Sequence, residues 1–164
     1  MDYRLRVLEK GGVFHFPADV AADKAMVITF EAIAGGPGVR NVELEIEGRA
    51  IKALRVGPGV AWFRFEELCD GPRGQADYIE LARRYHTVLI SGVRSLGPAE
   101  PDRRRRFTWL VDEFYDRRVK LIMSAETQLA GLLQSVVGEV EVERTASRLV
   151  EMQSHQYLSE AHLA

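Results

Sequence analysis

YHTVLISGVRSLGPAEPDRRRRFTWLVDEFYDRRVKLIMSAE, residues Tyr85–Glu126, decides the fold. Its opening block, residues 87–92 (TVLISG), is apolar almost throughout, as a strand covered on both faces must be. Residues 103–117 then place Phe107, Leu110, Val111, Phe114 and Tyr115 on one helical stripe, with Trp109, Asp112, Glu113 and Asp116 opposite. Residues 119–123 (VKLIM) form a second apolar strand. Strand, helix and strand in that order make a parallel βαβ unit. A phosphate-gripping loop would need Gly-x-x-x-x-Gly-Lys-Ser/Thr between a strand and a helix. None of the four lysines, Lys10, Lys24, Lys52 and Lys120, directly follows a glycine.

Outward from this unit, residues 42–47 (VELEIE) alternate cleanly, with Val42, Leu44 and Ile46 on one side and Glu43, Glu45 and Glu47 on the other. Gly48-Arg49 turns into a strand over 50–56, and Gly57-Pro58-Gly59 turns again into 60–65. This is a small antiparallel β-meander with one solvated face. A helix is expected near 18–34, closed by Gly35-Gly36-Pro37-Gly38, and another over 76–85. Residues 2–8 alternate as a half-buried strand, and 139–143 (EVEVE) as a short one. Ser124 reads as the N-cap of a helix over 125–136 carrying Leu129, Leu132, Leu133 and Val136. A last helix runs from about Thr145 to Leu158. The class is α/β: a parallel βαβ unit flanked by helices plus the meander. It is a single domain over 1–164, with a first part at 1–66 and an α/β part at 67–164.

Composition excludes several functions. A net charge of −2 and a pI near 6.1 give no bulk attraction to nucleic acid or acidic lipid. One cysteine, Cys69, permits neither an internal disulfide nor a Cys-x-x-Cys metal knuckle. The four histidines show no metal-ligand spacing. No apolar run approaches the roughly 20 residues that span a bilayer, and the expected location is the cytoplasm. Neither a catalytic residue nor a metal ligand is expected.

Three motifs remain. Trp109–Glu113 imitates an acidic magnesium box, but its helical periodicity places Asp112 and Glu113 mid-helix, and Glu113 is set for an i,i+4 pair with Arg117. Arg103–Arg106 is a run of four arginines that points around a helix rather than forming one patch, so nucleic-acid binding is not expected. Arg144, Arg148, Glu151 and His155 fall at i, i+4, i+7 and i+11, a narrow polar stripe on the last helix. That stripe either points at a phosphate or an oligomer interface, or pairs internally through Glu151.

The tracts DYRLR (2–6), FEELCDGPRGQADYIELARRYHTVLISGV (65–93), RRFTWLVDEFYDRRVKLIMSAE (105–126) and ERTASRLVEMQSHQYL (143–158) resemble the ZapE family, the ATPase-family-gene-one-like ATPases of bacteria and mitochondria. The family is similar to AAA-type P-loop ATPases, and its phosphate loop and acidic box precede the DYRLR tract. The resemblance therefore implies a C-terminal portion of a P-loop ATPase-like fold, inactive by itself. It implies ATP and magnesium as cofactors of the intact protein and none for this chain alone. It implies, as partners, the N-terminal P-loop portion of the same protein, further copies in a homo-oligomer, and a division-ring or client protein. Arg144 and Arg148 match the family's RT-x-SR motif and are the candidate nucleotide sensors. Arg105 and Arg106 match its RRF motif and are weaker candidates for a finger acting in trans. The implied role is cell division or protein quality control. The alternative is a stand-alone protein-interaction module without nucleotide chemistry, acting through the meander's acidic face and the final helix.

Overall fold

The computed structural model describes residues 3–134 and 139–164. Along the chain run α1 (Tyr3–Gly11), β1 (Phe14–His15), α2 (Val20–Ala34), β2 (Val39–Ile46), β3 (Arg49–Gly57), β4 (Val60–Arg64), α3 (Phe65–Cys69), α4 (Gln75–Arg84), β5 (Thr87–Val93), α5 (Pro101–Asp116), β6 (Lys120–Ala125), α6 (Leu129–Leu132), α7 (Val140–Glu151) and α8 (His155–Ser159). The strands form one six-stranded sheet in the order β1-β6-β5-β4-β3-β2. β1, β6, β5 and β4 pair in parallel, whereas β4–β3 and β3–β2 pair antiparallel.

The βαβ unit is β5–α5–β6, as its apolar blocks predict. The meander is not a separate layer: β4 pairs with β3 on one side and with β5 on the other, which joins both halves into one sheet. Val60–Phe63 are therefore buried, and the expected solvated face is confined to β2 and β3. A two-residue loop at Glu47-Gly48 closes the β2–β3 hairpin, with φ of 51° and 74°, the twist that suits a tight hairpin turn. Gly59 also needs its freedom: it has φ of 71°, and a Cβ there would lie 2.4 Å from the His86 ring. β3 extends past the end of β4, and side chains complete its ladder. Glu67 accepts from the Lys52 N–H at 2.9 Å, and Arg73 donates to the Ala50 carbonyl at 3.1 Å.

α4 and α5 pack against each other, while α2 packs on β4, β5 and β6 with α1 beside it. Asp19 caps α2 by accepting from the Ala22 N–H, and Gly35 ends it in the left-handed conformation. The core holds Phe30, Phe63, Phe65, Tyr78, Phe107, Phe114 and Tyr157, all fully buried.

Four local expectations are corrected. Residues 3–11 are helical, because Leu5 and Leu8 are the buried positions, three apart; Asp2 lies outside the described residues. EVEVE opens α7, whose buried Val142, Thr145 and Leu149 follow helical spacing. Ser124 lies inside β6, opposite His15, and accepts from the Gly92 N–H at 2.9 Å, so the only helix of that segment among the described residues is the short α6. Val136 lies outside them. The last helix is two, because Ser154 caps a fresh start by accepting from the Tyr157 N–H at 3.1 Å.

Candidate functional site

α5 begins with Pro101, whose fixed φ suits a first turn, and it buries Phe107, Leu110, Val111 and Phe114. Its outer stripe then meets α7. The two helices run side by side in the same direction: Arg104 grips Glu139 at 2.8 Å, Arg148 reaches Asp112 at 2.7 Å, and the Tyr115 hydroxyl donates to Glu151 at 2.6 Å.

Arg144 and Arg148 converge on one carboxylate, Asp112. Arg148 is three-quarters covered and lies over the Tyr115 ring, 4.7 Å from its centroid. Arg144 is half exposed and touches Asp112 only at 3.5 Å. Internal pairing of the stripe thus occurs across helices, through Asp112, not through Glu151 as the sequence alternative had it. Glu151 instead binds Tyr115, and His155 pairs with Glu9 of α1 at 2.9 Å. Donation to the Glu151 carboxylate, with burial second, holds the Tyr115 phenol above its ordinary value.

Behind Arg148 the cluster continues inward as a stack. Tyr115 and Tyr157 lie nearly parallel, 5.9 Å apart, and the Lys120 ammonium sits 4.9 Å from the Tyr157 centroid. Arg118 approaches both rings and pairs with Glu160 at 3.0 Å. Cation–π contacts of this kind are worth about 0.5–2 kcal/mol each according to exposure. Tyr115, Tyr157 and Arg118 were not anticipated as part of the site; the available hint was that all three lie in the resembling tracts 105–126 and 143–158.

The remaining arginines separate. Arg105 shares the α5 stripe with Trp109 and Asp112; it lies over Trp109 at 5.7 Å and pairs with Asp102 at 2.6 Å. Arg106 turns the other way and donates to the Cys69 carbonyl at 3.2 Å. Arg103 binds Asp70 and Glu100, and Arg104 is buried. Arg103 and Arg106 line one groove with Asp70 and Glu100, while Arg104 and Arg105 meet other partners, so the four do not form one patch. Glu113 pairs with Arg117 at 2.7 Å, so the imitation acidic box is an ordinary helix face.

Among the described residues no three His, Cys, Asp or Glu side chains group to hold a metal. The Gly35–Gly38 cluster ends a helix, and the Gly35 and Gly36 N–H groups are spent on the Glu31 carbonyl rather than open to a phosphate. What does fit a phosphate is Arg144: half exposed, loosely held, and beside a second arginine that shares its counter-ion. Cys69 is buried and its thiol is pushed up to about 12 by that burial, which excludes it as a nucleophile at neutral pH. No helix among the described residues is long and apolar enough to cross a membrane.

Comparison with known proteins adds the following. A family model described as AFG1-like ATPase matches residues 1–161. "Cell division protein ZapE" of Escherichia coli (strain K12) is 38% identical over 164 residues, which covers 100% of this chain and 44% of that protein. "Lactation elevated protein 1 homolog B" of Danio rerio is 33% identical over 153 residues, covering 92% of this chain and 30% of that protein. The chain thus spans less than half the length of these curated relatives. No solved structure matches.

Proposed function

The chain belongs to the AFG1-like ATPase family, and from that premise we propose that it is the C-terminal portion of a ZapE-like, ATP-hydrolysing ATPase acting in cell division or protein quality control. The P-loop portion of the same polypeptide supplies the phosphate loop and the magnesium ligands. This portion supplies arginines from the α5–α7 face to nucleotide sensing or to the contact between copies, along with surfaces for a client. The observation that carries the proposal is the pairing of Arg144 and Arg148 on a single Asp112, with Arg144 half exposed. Arg144 touches the shared carboxylate only at 3.5 Å and is half exposed, so its guanidinium is the group an incoming phosphate would meet. Arg105, on the same stripe of α5, is the weaker candidate for a trans contact. Arg106 is the weakest, being spent on the Cys69 carbonyl.

The test is ATP turnover and assembly of the full-length protein carrying Arg144→Ala or Arg148→Ala. Turnover is expected to fall by roughly a hundredfold or more with Arg144→Ala, as for a lost electrostatic donor at a phosphoryl site. Unchanged turnover and unchanged assembly in both variants would remove the sensor role. A second reading is favoured by Glu43 and Glu45 on β2 and Glu47 in the turn that follows it, all three exposed. On that reading the chain is an interaction module, and immobilised chain captures its partner with no ATP present.

A further inference from the structure

α2 is apolar on both sides. Its inner face buries Ala22, Met26, Thr29 and Phe30 against the sheet. Its outer face carries Val20 and Ile28, which are 69% and 70% exposed, with Phe16 half exposed just ahead of the helix. Positions 16, 20, 24 and 28 advance by fours. From the start of the helix that spacing drifts only slowly around the axis, so Val20, Lys24 and Ile28 share one stripe. A surface helix ordinarily turns a charged face to water; along this stripe the charges are Lys24 and, one turn beyond Ile28, Glu31, which is already paired with Arg55 at 2.9 Å.

The two sides of the sheet also differ. On the α5 side, α4 and α7 flank α5, its apolar face is buried, and the stripe it turns outward carries Arg105, Asp112 and Asp116. On the α2 side α1 is the helix packed alongside α2, and among the described residues Val20 and Ile28 stay exposed. The chain covers 44% of its Escherichia coli relative, so more than half of such a polypeptide has still to be packed somewhere.

We propose that Phe16, Val20 and Ile28 form the surface on which the P-loop portion of the same polypeptide docks. This rests on the reading above that such a portion exists. It assigns opposite faces to two tasks: the α2 face joins the two portions, and the α5–α7 face offers its arginines outward.

The experiment is maleimide labelling of the full-length protein carrying Ile28→Cys and, separately, Val20→Cys, read by mass spectrometry at the peptide containing the new thiol. Cysteine is a mild change at an exposed position, and Cys69 is buried and stays silent. Both thiols are expected to react about a hundredfold more slowly in the native protein than in denaturant, since they open only with the docked interface. Val150→Cys, at a position 63% exposed on α7, serves as the freely reacting control. Reaction at positions 20 and 28 within about threefold of the denatured rate would overturn the proposal, because an undocked surface thiol has nothing to protect it. Protection that disappears on dilution would assign the face to a second copy, and protection that requires anionic vesicles would assign it to a membrane; either result overturns it as well. ATP turnover of Arg144→Ala judges the arginines separately, so failure of one reading is distinguishable from failure of the other.

Discussion

Tyr157→Ala is expected to lower the unfolding free energy by about 3–5 kcal/mol, the range for deleting a large buried aromatic. Tyr157 is 1% exposed, and its hydroxyl donates to the Val119 carbonyl at 2.7 Å, with the Phe114 carbonyl at 3.2 Å. It pins α8 to the α5–β6 turn, stacks on Tyr115 and receives the Lys120 ammonium on its ring. Burial first, opposed by nearby Arg118, raises its phenol above the ordinary value, so the hydroxyl stays protonated and donating at neutral pH. Tyr157→Phe separates the two contributions and is expected to cost about 1–2 kcal/mol for the lost bond to the Val119 carbonyl, since the Phe114 carbonyl keeps the Val119 N–H at 3.0 Å. Urea unfolding of the two variants measures both. A loss below about 1.5 kcal/mol for Tyr157→Ala would mean that α8 contributes little to holding the fold. Amide exchange in α7 should also quicken in Tyr157→Ala, because Tyr115 loses its stacking partner and with it the support beneath Arg148.

The second large effect is a loss of stability in alkali. The Cys69 thiol, ordinarily near 9.0, is held protonated to about 12 by burial in the native state. Its folded value is raised, so its contribution is fully present below pH 9 and is lost as pH rises toward 12, where the unfolded chain sheds a proton that the native one keeps. At about 1.4 kcal/mol per unit, Cys69 alone accounts for roughly 4 kcal/mol at the top of that window. Tyr78 adds to the loss above pH 10: burial, followed by the neighbouring thiol, pushes its phenol up, and its hydroxyl donates to the Leu68 carbonyl at 2.7 Å. Tyr157 acts in the same direction. Urea midpoints at pH 8, 9, 10 and 11 should therefore fall continuously beyond pH 9, and Cys69→Ala should flatten the first part of that fall. A midpoint constant from pH 8 to 11 would show that these groups are open to solvent.

Much of this architecture was legible in the sequence, and the failures share a cause. TVLISG and VKLIM are apolar on both sides, and only a covered parallel strand tolerates that; the helix between them declared itself through Phe107, Leu110, Val111 and Phe114. DYRLRVL and EVEVE alternate as strands do, yet residues 3–8 and 140–143 are helical, because tertiary contact selected Leu5 with Leu8, and Val142 with Thr145 and Leu149. Alternation over five to seven residues is also compatible with part of a helical period, and only the partner surface decides between them. The parallel pairing of β4 with β5 is invisible locally, which is why VAWFRF looked like the third strand of an isolated meander. At the candidate site the polar stripe of α7 was visible, and its partner was not. Asp112 lies on another helix, and nothing in either tract encodes that α5 and α7 lie side by side. Arg105 and Arg106, adjacent in sequence and alike in character, were separated by helical rotation alone.

The pairing of β1 with β6 has a consequence for synthesis of the protein. Phe14 and His15 find their strand partners only at Met123 and Ser124. A ribosome must therefore have released nearly the whole βαβ unit before the first strand can be seated. Until then the β2–β3–β4 ribbon emerges early, with the apolar edge of β4 open and awaiting β5. Long-range closure of this kind folds late and leaves an adhesive edge exposed while it waits. The nascent chain, more than the finished one, is the species that needs protection from its neighbours.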